Sequence, residues 1–188
     1  MVGGLIMCHG DDNGLRIPPA LAPVQVVVLA VRDDDAVTDR CRTLAEELAD
    51  AGVRVELDVR VETSMGRRAT DWELKGVPVR LELGPRDLTE GVVTLANRFT
   101  GAKDAVALNG IAATVAAALD AGQAQLLAEA TDRRNSRTVD VATIAEAAEA
   151  AATGWARIPW ASLGTDGEAE LAKSSVTVRC LVMPDGSL

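Results

Sequence analysis

At 188 residues, with 48% hydrophobic but only 2% aromatic residues, the chain can bury one sizeable core of Ala, Val and Leu beside a small second unit. Its formal charge of −9 argues against indiscriminate binding of nucleic acid, but residues 66–103 carry +2 and the remainder −11, which leaves room for a local site. No run of eighteen apolar residues suggests a membrane span, residues 1–9 lack the pattern of a secretory signal, and Cys8, Cys41 and Cys180 form no CxxC pair, which points to reduced thiols in a cytoplasm.

Along the chain, VGGLIMCHG is apolar and Gly-rich and runs into a DDNG turn. The prolines of LRIPPALAP forbid regular helix or central strand. The β-branched run VQVVVLAV, residues 24–31, predicts a strand covered on both faces. DDDAVTDRCRTLAEELADAG then begins with helix-start acids, repeats apolar residues at Val37, Cys41, Leu44 and Leu48, and stops at Gly52. VRVELDVR alternates as a strand, and this β-α-β order implies a parallel, right-handed crossover. Residues 60–70 read as a polar loop.

DWELKGVPVRLELGPRD, residues 71–87, follows. WELKG reads as the end of a short helix stopped by Gly76. Val77, Val79, Leu81 and Leu83 alternate with Pro78, Arg80 and Glu82, the period of a strand with one wet face. Glu73, Lys75 and Arg80 therefore gather at one helix-to-strand corner, and by spacing alone they fit a solvated edge strand. GVVTLANRF predicts another strand, and TGAKDAVAL a hairpin turn with a short strand. An Ala-rich helix over about 111–131 places Ile111, Val115, Leu119, Leu126 and Leu127 on one side, and a second over about 140–152 stops before Gly154. The end reads strand, loop, short helix, strand, with Trp155 and Trp160 in a small core.

The chemistry offered by residue types is thin. His9 is the only histidine, so no multi-His metal site can form, and HGDD fits a polar turn as well as a base with two carboxylates. GxGxxG, GxxxxGK[ST] and GxSxG are absent. Nothing assembles a nucleophile, base and oxyanion hole.

Three stretches together carry a resemblance. GGLIMCHGDDNGLRIPPALAPVQVVVL, DWELKGVPVRLELGPRD and IPWASLG resemble, in this order, the C-terminal part of the prolyl-tRNA synthetase family in its archaeal/eukaryotic-like class II form. The resemblance implies an α/β fold: an anticodon-binding domain with a mixed, mostly parallel sheet flanked by helices, plus a small α+β C-terminal domain. It implies that residues 1–22 end the class II catalytic domain after its motif 3 arginine, that 23–130 form the anticodon-binding domain, and that 131–188 form the C-terminal domain. By this resemblance Glu73, Arg80 and Lys103 read the guanines of the tRNA(Pro) anticodon, with Trp72 supporting by packing and Lys75 by phosphate contact. The chemistry suits that role. A carboxylate accepts from guanine N1–H and N2–H₂, Arg and Lys donate to O6 and N7, and unpaired loop bases expose these edges. Arg68 is expected at a phosphate or in solvent.

The same resemblance places motifs 1 and 2, the proline pocket and the motif 3 arginine upstream of Met1. No catalytic residue and no cofactor is therefore expected in this chain. ATP and Mg²⁺ belong to the full-length enzyme, an expected homodimer, and the chain alone is expected to be inactive. Ala161 and Gly167 stand near the places of the family's zinc-binding cysteines, so no metal is expected, and PDGSL lacks the family's terminal aromatic. Two other functions fit the residues less well: a standalone anticodon-fold module for a protein partner, and a doubly wound small-ligand binder, which the missing Gly-rich loop disfavours.

Overall fold

The apolar N-terminal stretch folds as helix α1 (Val2–His9), which buries none of its side chains, and leads into a short antiparallel hairpin of β1 (Gly10–Asp11) and β2 (Gly14–Leu15). The structure, a computed structural model, describes residues 2–183, and the chain divides after Ala128 into two units. Met1 and the expected terminal PDGSL lie outside the described residues.

In the first unit the β-branched run forms β3 (Val26–Ala30), with every residue buried. Helix α2 (Asp35–Asp50) starts where the Asp34 carboxylate accepts from the Val37 N–H at 3.0 Å, and it buries Val37, Cys41, Leu44 and Leu48 as its periodicity requires. Burial pushes the Cys41 thiol up to about 11. Strand β4 (Val55–Asp58), helix α3 (Met65–Leu74), strand β5 (Val79–Leu83), helix α4 (Pro85–Glu90), strands β6 (Val92–Asn97) and β7 (Lys103–Ala107) and helix α5 (Ile111–Ser136) follow, the last helix belonging to this unit as far as Ala128. The five-stranded sheet has the order β4-β3-β5-β6-β7; β6 alone is reversed. It is therefore the mixed, mostly parallel α/β sheet expected.

Alternate residues divide the sheet's two faces. Val26, Val28, Ala30, Val79, Leu81 and Leu83 join the main core under α2 and α5. Val27 and Leu29 point the other way and pack with Trp72 of α3 and Val77. By length and composition α5 could cross a membrane, but its Ile111, Val115 and Leu119 lie in the main core.

In the second unit β8 (Thr138–Asp140) pairs in parallel with β9 (Trp155–Arg157). Helix α6 (Ile144–Ala151) opens on a capping box between Thr143 and Glu146. With α7 (Trp160–Ala172) it encloses a small core of Ala147, Leu163 and Leu171.

Several expectations need correction. Residues 60–70 are not all loop, because α3 begins at Met65; Met65, Arg68 and Trp72 recur at helical spacing and face inward together. Strand β5 is no solvated edge but the middle strand of the sheet, and Arg80 is buried. Helix α4 was not expected, although Pro85 at its first position, the Asp87 carboxylate accepting from Gly84 N–H at 2.8 Å, and left-handed Gly91 delimit it. Leu127 is exposed, and Gly122 takes a buried place on α5 because the Phe99 ring lies where a Cβ would stand. Trp155 and Trp160 are 52% and 45% exposed and do not form the small core. The last expected strand does not form within the described residues; Val176 and Val178 pack against the small core as irregular chain.

Candidate nucleic-acid interface

Strand register brings the charged residues together. Val27, Arg80, Ala96 and Lys103 form one row across β3, β5, β6 and β7, and Leu29, Glu82, Thr94 and Ala105 form the row beside it. All of these lie on the face that α3 covers. Trp72 packs over Val27 and Leu29, so the helix closes the β3 end of the rows, while Arg80, Glu82 and Lys103 occupy the rest.

The charges alternate in sign. Arg80 Nη1 donates to Glu73 Oε1 at 2.8 Å and its Nε to Glu82 Oε1 at 2.7 Å, while Lys103 Nζ stands 3.4 Å from that same Glu82 oxygen. Arg80 is 7% exposed, Glu82 14%, Glu73 37% and Lys103 55%. Burial works to lower the Arg80 pKa, but the hydrogen bonds and charge of Glu73 and Glu82 outweigh it and raise it. The guanidinium is thus a fixed cation that holds the Glu73 carboxylate in place. Its Nη2 makes no hydrogen bond among the described residues.

A concave pocket of about 250 Å³ opens over this cluster, and Trp72, Glu73, Arg80 and Lys103 all line it. Four of the five residues singled out from the sequence therefore share one cavity wall. The fifth, Lys75, is not on that wall; its ammonium stands 4.1 Å from the centre of the Trp72 ring, a cation–π contact.

Beneath the corner lies a buried polar cluster. Trp72 Nε1 donates to Asp58 Oδ2 at 2.7 Å, and Arg60 Nη2 donates to the same oxygen at 2.6 Å. Arg68 was expected at a phosphate or in solvent, yet it is fully buried: its guanidinium donates to Ala30 O at 2.8 Å and Thr63 O at 3.1 Å and lies 3.5 Å from Asp58. Burial alone would raise the Asp58 pKa, but the hydrogen bonds from Arg60 and Trp72 hold it well below the carboxylate range. This cluster fixes α3, and with it Glu73, against the sheet.

The sequence reading missed part of the wall. Asn13, Asn97 and Arg98 also line the pocket. Asn97 shapes the β6–β7 turn by accepting from the N–H groups of Phe99 at 2.9 Å and Thr100 at 3.3 Å, a role that an Asn ahead of TG signals. Asn13 and Arg98 carry no signal of spacing, because only the fold brings their segments together. Among the described residues no group of three or more His, Cys, Asp or Glu side chains is gathered as a metal would require. The pocket instead offers carboxylate acceptors and cationic donors side by side, the set that matches the edge of an unpaired guanine.

A family profile described as "Anticodon binding domain" matches residues 25–118. Over its whole length the chain is 61% identical to "Proline–tRNA ligase" of Frankia alni and 58% identical to "Proline–tRNA ligase 2" of Streptomyces avermitilis, spanning 40% of each. Prolyl-tRNA synthetase from Cryptosporidium parvum, solved with L-proline and AMP, is similar with a TM-score of 0.79 at 30% identity, over 93% of this chain and 38% of that one. The same enzyme solved with halofuginone and AMPPNP gives 0.86. The chain spans about 40% of the length of the curated relatives it matches. With its profile match, its whole-length similarity and its sheet in agreement, the chain belongs to the anticodon-binding domain family, in the form carried by prolyl-tRNA synthetases.

Proposed function

We propose that this chain reads the anticodon loop of tRNA(Pro), as the tRNA-recognition part of a cytoplasmic, homodimeric proline–tRNA ligase. The activation of proline with ATP and Mg²⁺ then belongs to the part of the relatives that this chain does not span. The single observation behind the proposal is that Glu73, Arg80 and Lys103, from α3, β5 and β7, line one pocket as alternating acceptor and donors. Glu73, oriented by Arg80, accepts from N1–H and N2–H₂ of one guanine. Arg80 through Nη2 and Lys103 through Nζ donate to O6 and N7 of guanine. Trp72 and Lys75 support the wall, and the divisions 1–22, 23–130 and 131–188 are proposed as its catalytic-end, anticodon-binding and C-terminal segments.

Binding of an anticodon stem-loop by fluorescence anisotropy tests this. Glu73→Gln and Lys103→Ala are each expected to weaken binding by about 1–3 kcal/mol. The loss is expected to shrink when the contacted guanine is replaced by adenine, because the contact is then already gone. Arg80→Lys is the informative variant at its position, since alanine there would leave Glu82 buried without its main partner. If the Glu73 and Lys103 variants keep their circular dichroism and bind the guanine loop as tightly as the parent, the proposed role of the pocket is wrong.

A further inference from the structure

The β1–β2 hairpin precedes the residues matched by the family profile, yet it belongs to the first unit and puts Asn13 on the pocket wall. Two contacts hold it there. Gly14, at φ +116, brings its backbone so close to the end of α3 that a Cβ would meet Glu73 O at 2.9 Å. Asp11 Oδ1 accepts from the Asn13 N–H at 2.8 Å and from Arg98 Nη2 at 2.6 Å, so one carboxylate ties the tip of the hairpin to the start of the β6–β7 turn. Arg98 Nε is buried with no hydrogen-bond partner among the described residues, which leaves Asp11 as the group that holds this guanidinium in register. The hydrogen bond from Arg98 lowers the Asp11 pKa, as a tie between charged partners does.

Asn13 itself is exposed, and its carboxamide makes no hydrogen bond among the described residues. A carboxamide carries one acceptor and a paired donor, the combination that reads one edge of a base. The surrounding charges also favour a base over a phosphate. Arg80, Arg98 and Lys103 outnumber Glu73 on the wall, but each is paired with a carboxylate, Arg80 with Glu73 and Glu82, Lys103 with Glu82 and Arg98 with Asp11, so their charge is already countered before a ligand arrives. We infer that the hairpin is a further wall of the nucleotide site: Asn13 contacts an unpaired base adjoining the one held by Glu73, and Asp11 with Arg98 positions it. The inference rests on the proposed anticodon reading, and it makes recognition depend on a segment outside the family's profile.

The test uses the 188-residue chain and a panel of tRNA(Pro) anticodon stem-loops in which each loop nucleotide in turn is abasic. Asn13→Ala is expected to weaken binding of the intact loop about 3- to 10-fold, as loss of a hydrogen-bonded contact does. The weakening is expected to vanish for one abasic loop, different from the one that silences Glu73→Gln. Asp11→Asn is expected to weaken the same contact and to be non-additive with Asn13→Ala. If Asn13→Ala binds like the parent while Glu73→Gln is weakened, the hairpin inference fails and the anticodon reading stands. If Asn13→Ala weakens every loop equally, no base is read there and the inference also fails. If neither variant changes binding, the anticodon reading itself fails and takes the inference with it.

Discussion

Asp58 carries a charge almost out of reach of water, at 1% side-chain exposure, because Arg60, Arg68 and Trp72 surround it. Its pKa is depressed in the folded protein. The stability it contributes is therefore complete above the ordinary aspartate value of about 3.9 and is lost as pH falls below that toward the folded-state value. Asp58→Asn is expected to cost about 3 kcal/mol at neutral pH, chiefly because Arg68 stays buried without its counter-charge. The variant is also expected to lose stability less steeply than the parent between about pH 4 and pH 2. Urea midpoints taken across that range check both effects, and parallel acid slopes would show that Asp58 does not carry this linkage. Part of the cluster was legible. Met65, Arg68 and Trp72 have the spacing of one helical face, and a helix begun there would have turned Arg68 inward. The length of an Arg side chain, which lets the same residue reach either a phosphate or a buried carbonyl, is what hid its role.

At the scale of elements, the corner between α3 and β5 turns on Gly76. It sits at φ +74, where its missing Cβ would lie 2.8 Å from Ile17 Cγ1 and 3.0 Å from Leu15 O. Gly91 has a similar φ of +69 but open space around it. Gly91→Ala is thus expected to cost only the left-handed strain, about 1–2 kcal/mol. Gly76→Ala adds a collision with backbone and is expected to exceed about 2 kcal/mol and to weaken stem-loop binding as well, since the corner carries Glu73. Equal costs in chemical denaturation would mean that residues 15–17 do not crowd the corner as described. The sequence showed the stop at Gly76 and the alternation of β5, because turn chemistry and strand period are local. It could not show which face of β5 would be covered. That depends on α3 folding back over Val27 and Leu29, a contact between distant segments. Trp155 and Trp160 illustrate the same limit: large apolar side chains in a short tail suggest a core, yet the small second unit fills its centre with Ala147, Leu163 and Leu171 instead.

For the molecule as a whole, the charge distribution decides how it can hold RNA. Of the seven cations within residues 66–103, Arg68 and Arg80 are buried and Arg98 is tied to Asp11, which leaves Arg67, Lys75, Arg86 and Lys103 exposed. The remainder of the chain carries −11 and repels a polyanion. Affinity must then come mostly from base contacts inside the pocket. Each phosphate neutralised on a single-stranded segment contributes about 0.7 to the slope of log K against log salt. Four exposed cations, even if all reached phosphates, allow a slope no steeper than about −3. Binding of the stem-loop between 50 mM and 400 mM KCl is expected to stay within that limit (on the order of the counterion release from a few phosphates). Lys103→Ala is expected to shift affinity more than slope, since the partner proposed for it is a base edge. A slope near −5 or steeper would mean that the chain grips the backbone through groups outside the pocket. The +2 segment would then be an electrostatic patch, and specificity would have to arise elsewhere.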